Sequence, residues 1–316
     1  MIPGLVSVVI AAYNAGRFIE ETLTSVLSQS YPSVEVIVVD DGSTDDTREI
    51  VKTKYPSVTL VSQPNSGGGA APRNHGARLA KGEFIGFFDA DDIMLPQKLQ
   101  RQCEWLKGNP KAAVTFTDYR NFNERGSWEH SHFETCAELL DLFQAAGLTE
   151  QGTLRSYDAR RILASENFTI TGSALLRTTV FKEVGGFDEK LQAGEDYDLF
   201  YRIALRFDIG VDREVGFLRR LHSTNVSNRV EHVLRHQIEG RRKIMALEPE
   251  PEIVKVHRKI LASYHVDAAD LLARSNPGKA RAHLGRAIRY GRLDAAVVKC
   301  SVKCMASMLG FRASVS

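Results

Sequence analysis

No stretch of this sequence approaches the roughly 18 consecutive apolar residues of a membrane-spanning helix, so none is predicted to cross a bilayer. Cysteine is scarce. Cys103, Cys136, Cys300 and Cys304 show no C-x-x-C spacing, which argues against a dithiol redox centre and a disulfide scaffold. Reduced thiols in a cytosolic protein are expected instead. Cys300 and Cys304 stand one helical turn apart, but no His or further Cys lies near them in sequence to complete a metal site. Glycine (24) and proline (10) are too few in 316 residues for a low-complexity or collagenous chain. Two phosphate-binding signatures are also missing. The first apolar run leads into Ala11-Ala12-Tyr13-Asn14-Ala15-Gly16 rather than G-x-G-x-x-G, and no Gly-Lys-Ser/Thr follows Gly67-Gly68-Gly69. These absences disfavour a nicotinamide enzyme and a P-loop nucleotide hydrolase.

What is present is 43% hydrophobic and 25% charged, an ordinary globular composition over a length sufficient for two domains. The net charge of +2 hides an uneven distribution. Residues 271–316 hold nine Lys/Arg and one acid, Asp294, so of 41 bases and 39 acids the rest of the chain keeps 32 and 38. A mildly acidic body with a basic tail points to an anionic surface, with a membrane as first candidate. Nothing in the pattern points to nucleic acid.

The first 118 residues alternate strand and helix patterns. Apolar, β-branched runs at 5–12, 34–39, 58–62, 84–88 and 112–117 read as strands. The first has no basic segment before it and is expected to be a buried strand, not a signal peptide. Between the runs, 17–29, 72–81 and 95–107 read as helices, and Gly82 reads as a helix stop. Ser43-Thr44 offers a cap for a helix whose first turn holds Asp45-Asp46. This alternation predicts a mostly parallel central sheet with helices on both faces. Further on, 137–145 reads as a helix, the rest of 119–165 as irregular, 170–176 as a strand, Gly185-Gly186 as a turn, 197–207 as a helix and 215–221 as a strand. Beyond residue 231 the pattern becomes helical, broken by Pro249 and Pro251, with Asn276-Pro277 as a cap and first turn. In the last helix Val298, Val302, Met305 and Leu309 share one face.

Ligands of such sheets bind at the carboxyl ends of the strands. The residues expected there are Tyr13-Asn14, Asp40-Asp41-Gly42-Ser43, the Gly67–69 loop and Asp89-Ala90-Asp91-Asp92. Acids clustered at one edge are costly without a cation or a hydrogen-bonding ligand. Asp89-x-Asp91 after a buried strand can converge on a hard cation, Mg²⁺ or Mn²⁺, which also accepts diphosphate oxygens. A bare D-x-D also reads as a helix cap. Glu195-Asp196 similarly reads either as ordinary first-turn acids on a helix dipole or as a base.

Five segments in order carry a resemblance: 7–14 (SVVIAAYN), 36–47 (VIVVDDGSTDDT), 71–76 (APRNHG), 81–96 (KGEFIGFFDADDIMLP) and 185–202 (GGFDEKLQAGEDYDLFYR). They are similar to the family 2 glycosyltransferases of the GT-A fold, over about residues 5–228. The resemblance implies an inverting, metal-dependent transfer from a nucleotide-sugar, with UDP as the expected carrier, to an acceptor hydroxyl in surface polysaccharide or glycolipid synthesis. By the same resemblance Tyr13 lies against the base, Asp41 bonds its edge, and Ala11 and Asn14 line that pocket. Asp89 and Ala90 meet the ribose side, and Arg73 sits in a loop over the nucleotide. Asp91 with Asp89 and His222 would hold the metal, Arg220 would support His222 in an R-x-H-x-x-N-x-S segment ending at Ser227, Asp196 would be the base and Glu195 would orient the acceptor. Proline or threonine is usual where Ala11 stands, which leaves base preference open.

The implied organisation is a glycosyltransferase domain over 1–230, with a nucleotide-binding half at 1–118 and an acceptor half at 119–230, and a basic helical extension at 231–316. A cytoplasmic protein with peripheral contact at the inner face of the cytoplasmic membrane through 271–316 is expected, which suits a saccharide or lipid-linked acceptor. Two other readings stay open: a sugar nucleotidyltransferase, and a catalytically silent nucleotide-sugar-binding scaffold. Without a leader, the sequons at Asn167 and Asn225 are expected to be chance matches.

Overall fold

Residues Ile2–Ala12 form β1, followed by α1 (Ile19–Leu27), β2 (Val34–Asp40), α2 (Thr47–Lys54), β3 (Thr59–Ser62), α3 (Ala70–Leu79) and β4 (Gly82–Asp89) in the computed structural model, which describes residues 1–223, 225 and 229–308. β1 pairs in parallel with β2 and β4, and β2 pairs in parallel with β3. β1 and β2 are covered on both faces, which is why they read as unbroken Val/Ile runs. α1 buries Ile19, Leu23 and Val26, as its spacing predicts. α3 approaches the sheet so closely that a Cβ on Gly76 would lie 2.3 Å from Val9 Cγ1. The register sets Ala11 between Val39 and Asp89, so the carboxyl ends of β1, β2 and β4 lie level.

The chain continues through β5 (Ile93–Met94), α4 (Lys98–Gly108), β6 (Ala112–Asn123), β7 (Gly126–Ser127), α5 (Ala137–Ala145), β8 (Gln151–Leu154), α6 (Ser156–Ser165), β9 (Ala174–Arg177), α7 (Thr178–Glu183), α8 (Glu195–Ala204) and β10 (Asp208–Arg220). The strand order is β3-β2-β1-β4-β9-β6-β10-β5. β9 is antiparallel to both β4 and β6, while β10 runs parallel to β6 and antiparallel to β5 and β8. The sheet is therefore parallel on its first side and mixed on the second.

Several local expectations need correction. Gly82 does not stop α3; Ala80 leaves the helix in an extended conformation, and Gly82 opens β4, where a Cβ would meet Leu5 O at 2.6 Å. Ser43 and Thr44 do not cap α2. Asp45 Oδ1 accepts from Thr47 N at 3.0 Å, while Ser43 and Thr44 serve Asn14 instead. The expected strand at 170–176 begins as a 3-10 turn at Thr171–Ser173, because Ser173 Oγ donates to Ile170 O at 2.7 Å and holds the backbone out of the ladder. The stretch read as irregular contains β8 and α6. α6 buries Ala159, Ile162 and Leu163, an apolar set interrupted in sequence by Arg160 and Arg161.

The contacts divide the chain into two compact units, Met1–Thr224 and Asn225–Ser316. The second contains α9 (Val230–Leu247), α10 (Pro251–Leu272), α11 (Pro277–Arg289) and α12 (Ala295–Met308). Pro251 opens α10, and Asn276 caps α11 by accepting from Lys279 N at 3.1 Å. On α12 the side that packs inward is Val297, Cys300 and Cys304, against small residues such as Ala269, Ala273 and Ala280 that permit close approach. Val298, Val302 and Met305 are exposed, and Leu309 lies outside the described residues. All four cysteines are free and buried, and burial pushes the Cys103, Cys136 and Cys300 thiols up to about 12. No helix among the described residues is long and apolar enough to cross a membrane.

Candidate active site

The turn after β1 is built by Asn14, whose φ of 49° is a left-handed conformation that asparagine tolerates. Its N–H donates to Ser43 Oγ at 2.9 Å, and its Oδ1 accepts from Thr44 N at 2.8 Å, which stitches the ends of β1 and β2 together. Tyr13 is exposed beside it, and Ala11 is half-buried against Asp89. Asp41 is buried, and its carboxylate accepts from Gln63 Nε2 (2.7 Å), Ser66 N (3.0 Å) and Ser66 Oγ (2.9 Å). Three of a carboxylate's roughly four acceptor positions are thus filled by protein, leaving one for a ligand. His75 Nδ1 bonds Gln63 Oε1 at 2.8 Å and extends this chain.

At the end of β4, Asp89, Asp91 and Asp92 each offer an oxygen within 4.8 Å of the others. Burial, followed by the neighbouring carboxylate of Asp89, raises the Asp91 pKa. Burial, then Asp91 and Asp89, raise that of Asp92. Three hard oxygen donors that resist sharing one site as anions suit a divalent cation. His222 Nε2 stands 2.8 Å from Asp91 Oδ2. Arg220 Nε donates to the Asp91 carbonyl at 2.8 Å and its backbone N–H to Asp92 Oδ1 at 2.8 Å, while a further arm pairs with Glu21. The guanidinium is sandwiched by Phe122 (4.4 Å) and Phe18 (5.0 Å), and Phe18 in turn lies 4.8 Å from the His222 ring. Ser227 of the R-x-H-x-x-N-x-S segment lies outside the described residues.

Arg73 is in the first turn of α3, not in a loop. It is buried, donating from Nη2 to Asp89 Oδ1 and from Nη1 to Glu195 Oε1, both at 2.6 Å. It packs over Phe187 at 5.6 Å, and a Cβ on Gly69 would strike it at 2.3 Å. The glycine loop is thus shaped to admit this side chain and the Gln192 backbone, 3.1 Å from a Cβ on Gly68. Glu195 and Asp196 form the first turn of α8, behind Gly194 at φ 73°. Burial, then Glu195, raise the Asp196 pKa to about 6, with Tyr197 N–H and Arg73 opposing. A carboxyl so poised is ionised at neutral pH yet basic enough to take a proton. Asp89 and Asp196, 107 positions apart in sequence, are thereby gathered around one arginine.

Several contributors have no chemical signature in sequence. Asn74 holds the Gly185-Gly186 turn by pairing with Phe187 N (3.0 Å) and O (2.9 Å). Arg202 fixes α8 through Asp198 (2.8 Å) and the Gly186 carbonyl (2.7 Å). Gln63 orients Asp41. Asp92, expected at this edge, stands with Asp89 and Asp91 as a third oxygen donor.

A sheet with this strand order, its acidic edge and the carboxylate pair at the start of α8 define the GT-A class of α/β folds. The glycosyl transferase family 2 model matches residues 7–185, more than half of the chain, and the chain belongs to that family. An uncharacterized glycosyltransferase of Rickettsia typhi is 28% identical over 226 residues, covering 71% of this chain and 66% of that protein. A chondroitin synthase of Pasteurella multocida is 30% identical over 230 residues, covering 71% of this chain and 21% of that one. The chain therefore spans from about a fifth to just under two thirds of these curated relatives' lengths. Among solved structures, TarS of S. aureus aligns with a TM-score of 0.67 at 20% identity, over 96% of this chain and 54% of that one.

Proposed function

We propose that the chain transfers a sugar from a nucleoside diphosphate carrier to an acceptor hydroxyl, with inversion, in one displacement. The carrying observation is the Arg73 bridge, which joins Asp89 at the β4 end to Glu195 beside Asp196. Asp196 takes the acceptor proton as the acceptor oxygen forms its bond to the anomeric carbon. The bond from that carbon to the diphosphate oxygen breaks on the opposite face, and the nucleoside diphosphate leaves. Asp91 and Asp89, with His222 beside them and Asp92 as a further oxygen donor, would hold Mg²⁺ or Mn²⁺; such an ion neutralises charge on the departing diphosphate. Arg73 holds Asp89 and Glu195 in place. Ala11, Tyr13, Asn14, Asp41 and Ala90 form the wall for the base and ribose, and Arg220 supports the Asp91 turn.

Residues 1–118 would bind the donor and 119–230 the acceptor, while 231–316 would be an extension whose described residues hold α9 to α12. Two complexes with the same fold support the donor class: TarS of S. aureus solved with UDP-GlcNAc, and a mannosyltransferase of Pyrobaculum calidifontis (TM-score 0.56, 21% identity) solved with GDP-Man and Mn²⁺. A UDP-sugar is our assignment for this chain. The acceptor is a surface polysaccharide or glycolipid, and the extension rests on the inner face of the cytoplasmic membrane. Mass spectrometry after incubation with a panel of nucleotide-sugars, Mn²⁺ or Mg²⁺ and an envelope extract tests this reading. A sugar-mass increment on the acceptor supports it, whereas pyrophosphate release from UTP and a sugar phosphate identifies a nucleotidyltransferase instead.

A further inference from the structure

β6 and β10 run on together past the paired ends of the other strands, and β7 folds back on β6 to close the projection. Their register pairs Tyr119 with Phe217 and Asn121 with Arg219. Side chains opposed in this way, two residues apart along each strand, share one face of the sheet. Trp128 N–H donates to the Asn121 carbonyl at 2.9 Å, which sets Trp128 across from Asn121 at the outer end of that face. Arg17 pairs with Glu124 at 2.7 Å and ties the hairpin to the segment before α1.

Three groups on this face are unserved. The half-buried Arg219 guanidinium has no hydrogen-bond or ion-pair partner among the described residues. Asn121 Oδ1 is buried without a donor. Trp128 is 52% exposed. A buried amide oxygen without a donor is unfavourable, and Arg219, whose charge acts on Asp92 and Tyr119 without a hydrogen bond to either, keeps its guanidinium open to an anion, so the arrangement suits a ligand that supplies both an anion and a donor. Arg220, next in sequence, makes the contrast plain: its alternation turns it to the other face, where Phe18, Phe122 and the Asp91 turn engage it. The row also adjoins the chemistry. Tyr119 stacks on Phe217 at 5.2 Å, Phe217 meets Phe88, the residue before Asp89, edge-on at 5.6 Å, and Arg220, next to Arg219, donates its backbone N–H to Asp92 Oδ1 at 2.8 Å.

We propose that Tyr119, Asn121, Arg219 and Trp128 form the acceptor subsite, and that it takes a pyranose residue bearing a carboxylate or a phosphate. The apolar C–H face of the ring packs on the indole, a large rigid amphipathic surface suited to such contact. Asn121 Oδ1 accepts from a ring hydroxyl, and the anionic substituent pairs with Arg219, bidentately where geometry allows. The inference rests on the glycosyl-transfer reading, but it is tested apart from it.

The test is tryptophan fluorescence of the full chain with UDP present, titrated with methyl glucuronide, glucose 6-phosphate and methyl glucoside. At least one anionic sugar should quench at a concentration tenfold or more below the neutral one, and the tighter of the two identifies the anion. Arg219→Gln should abolish that preference while calorimetric UDP binding stays unchanged, and Trp128→Phe should remove the quench, leaving Trp105 silent. Equal affinity for all three sugars, an undiminished preference in Arg219→Gln, or loss of UDP binding in that variant would overturn the proposal. Anionic-sugar quenching in a protein that binds no UDP would uphold the subsite and defeat the donor assignment instead.

Discussion

At the residue scale the account turns on Arg73 and Asp196. Arg73 is the cation that two buried or half-buried carboxylates share. Arg73→Ala strands Glu195 and Asp89, and breaking such a buried pair costs about 3–5 kcal/mol, readable as a lower urea midpoint. Arg73→Lys keeps the charge but loses the planar fork that reaches both partners, so its transfer rate should fall at least tenfold. Asp196 must be ionised to act as a base. With its pKa raised to about 6, kcat/KM for transfer should rise with pH through about 6 and level off above it. A profile flat from pH 5 to 8 would remove Asp196 from the role. The same shift has a sign for stability. A carboxyl whose folded pKa is raised favours the folded state at acid pH, and that contribution is lost as pH climbs through about 6. Asp196→Asn should therefore melt no lower than the parent at pH 7.5, and any gain should vanish near pH 4.

At the scale of elements, the closeness of α3 to β1 makes Gly76 a packing residue. Gly76→Ala drives a methyl to 2.3 Å from Val9, and overpacking of this kind costs about 1–3 kcal/mol, measurable as a shift in the denaturation midpoint. Elements that carry their own pattern were legible: the Val/Ile runs of β1 and β2, the α1 stripe and the Asn276-Pro277 start of α11. The second side of the sheet was less so. β8 is four residues long and takes its form from the strand it joins, which no local pattern records, and β9 was legible as a strand but not its start, which the 3-10 turn at Thr171–Ser173 delays. α12 shows the same limit. Its valine–methionine stripe and its Val297–Cys300–Cys304 side have equal helical periodicity, and only the small residues of α10 and α11 decide which turns inward. The D-x-D pair stood out in sequence because acids follow an apolar run there, and Glu195-Asp196 because it opens a helix pattern inside a segment that resembles the family. Their union through Arg73 did not, since an arginine within a helix carries no mark of its partners.

At the scale of the whole molecule, charge is divided along the chain. In residues 271–308 the one acid, Asp294, is engaged in capping α12 through Ala296 N and Val297 N (both 3.1 Å) and in pairing with Arg292 (2.7 Å). The exposed Val298, Val302 and Met305 stripe, on a helix that also carries the exposed Lys299, suits an anionic lipid surface better than a dissolved polyanion, which has no use for apolar side chains. The protein should sediment with vesicles containing phosphatidylglycerol and not with pure phosphatidylcholine, and Val302→Asp should weaken that binding severalfold; equal sedimentation with both would contradict it. Chelation by EDTA should abolish transfer, Mn²⁺ or Mg²⁺ should restore it, and Asp91→Asn should require far more metal for the same rate.

The central claim is that carboxylates from separate parts of the chain divide one reaction, donor on one side and acceptor proton on the other. Single-turnover transfer set beside calorimetric donor binding in Asp196→Asn tests it most directly. The account predicts donor affinity within about threefold of the parent and a transfer rate reduced by about 10²–10⁴. Parental transfer in that variant, or loss of donor binding with it, would contradict the division of labour.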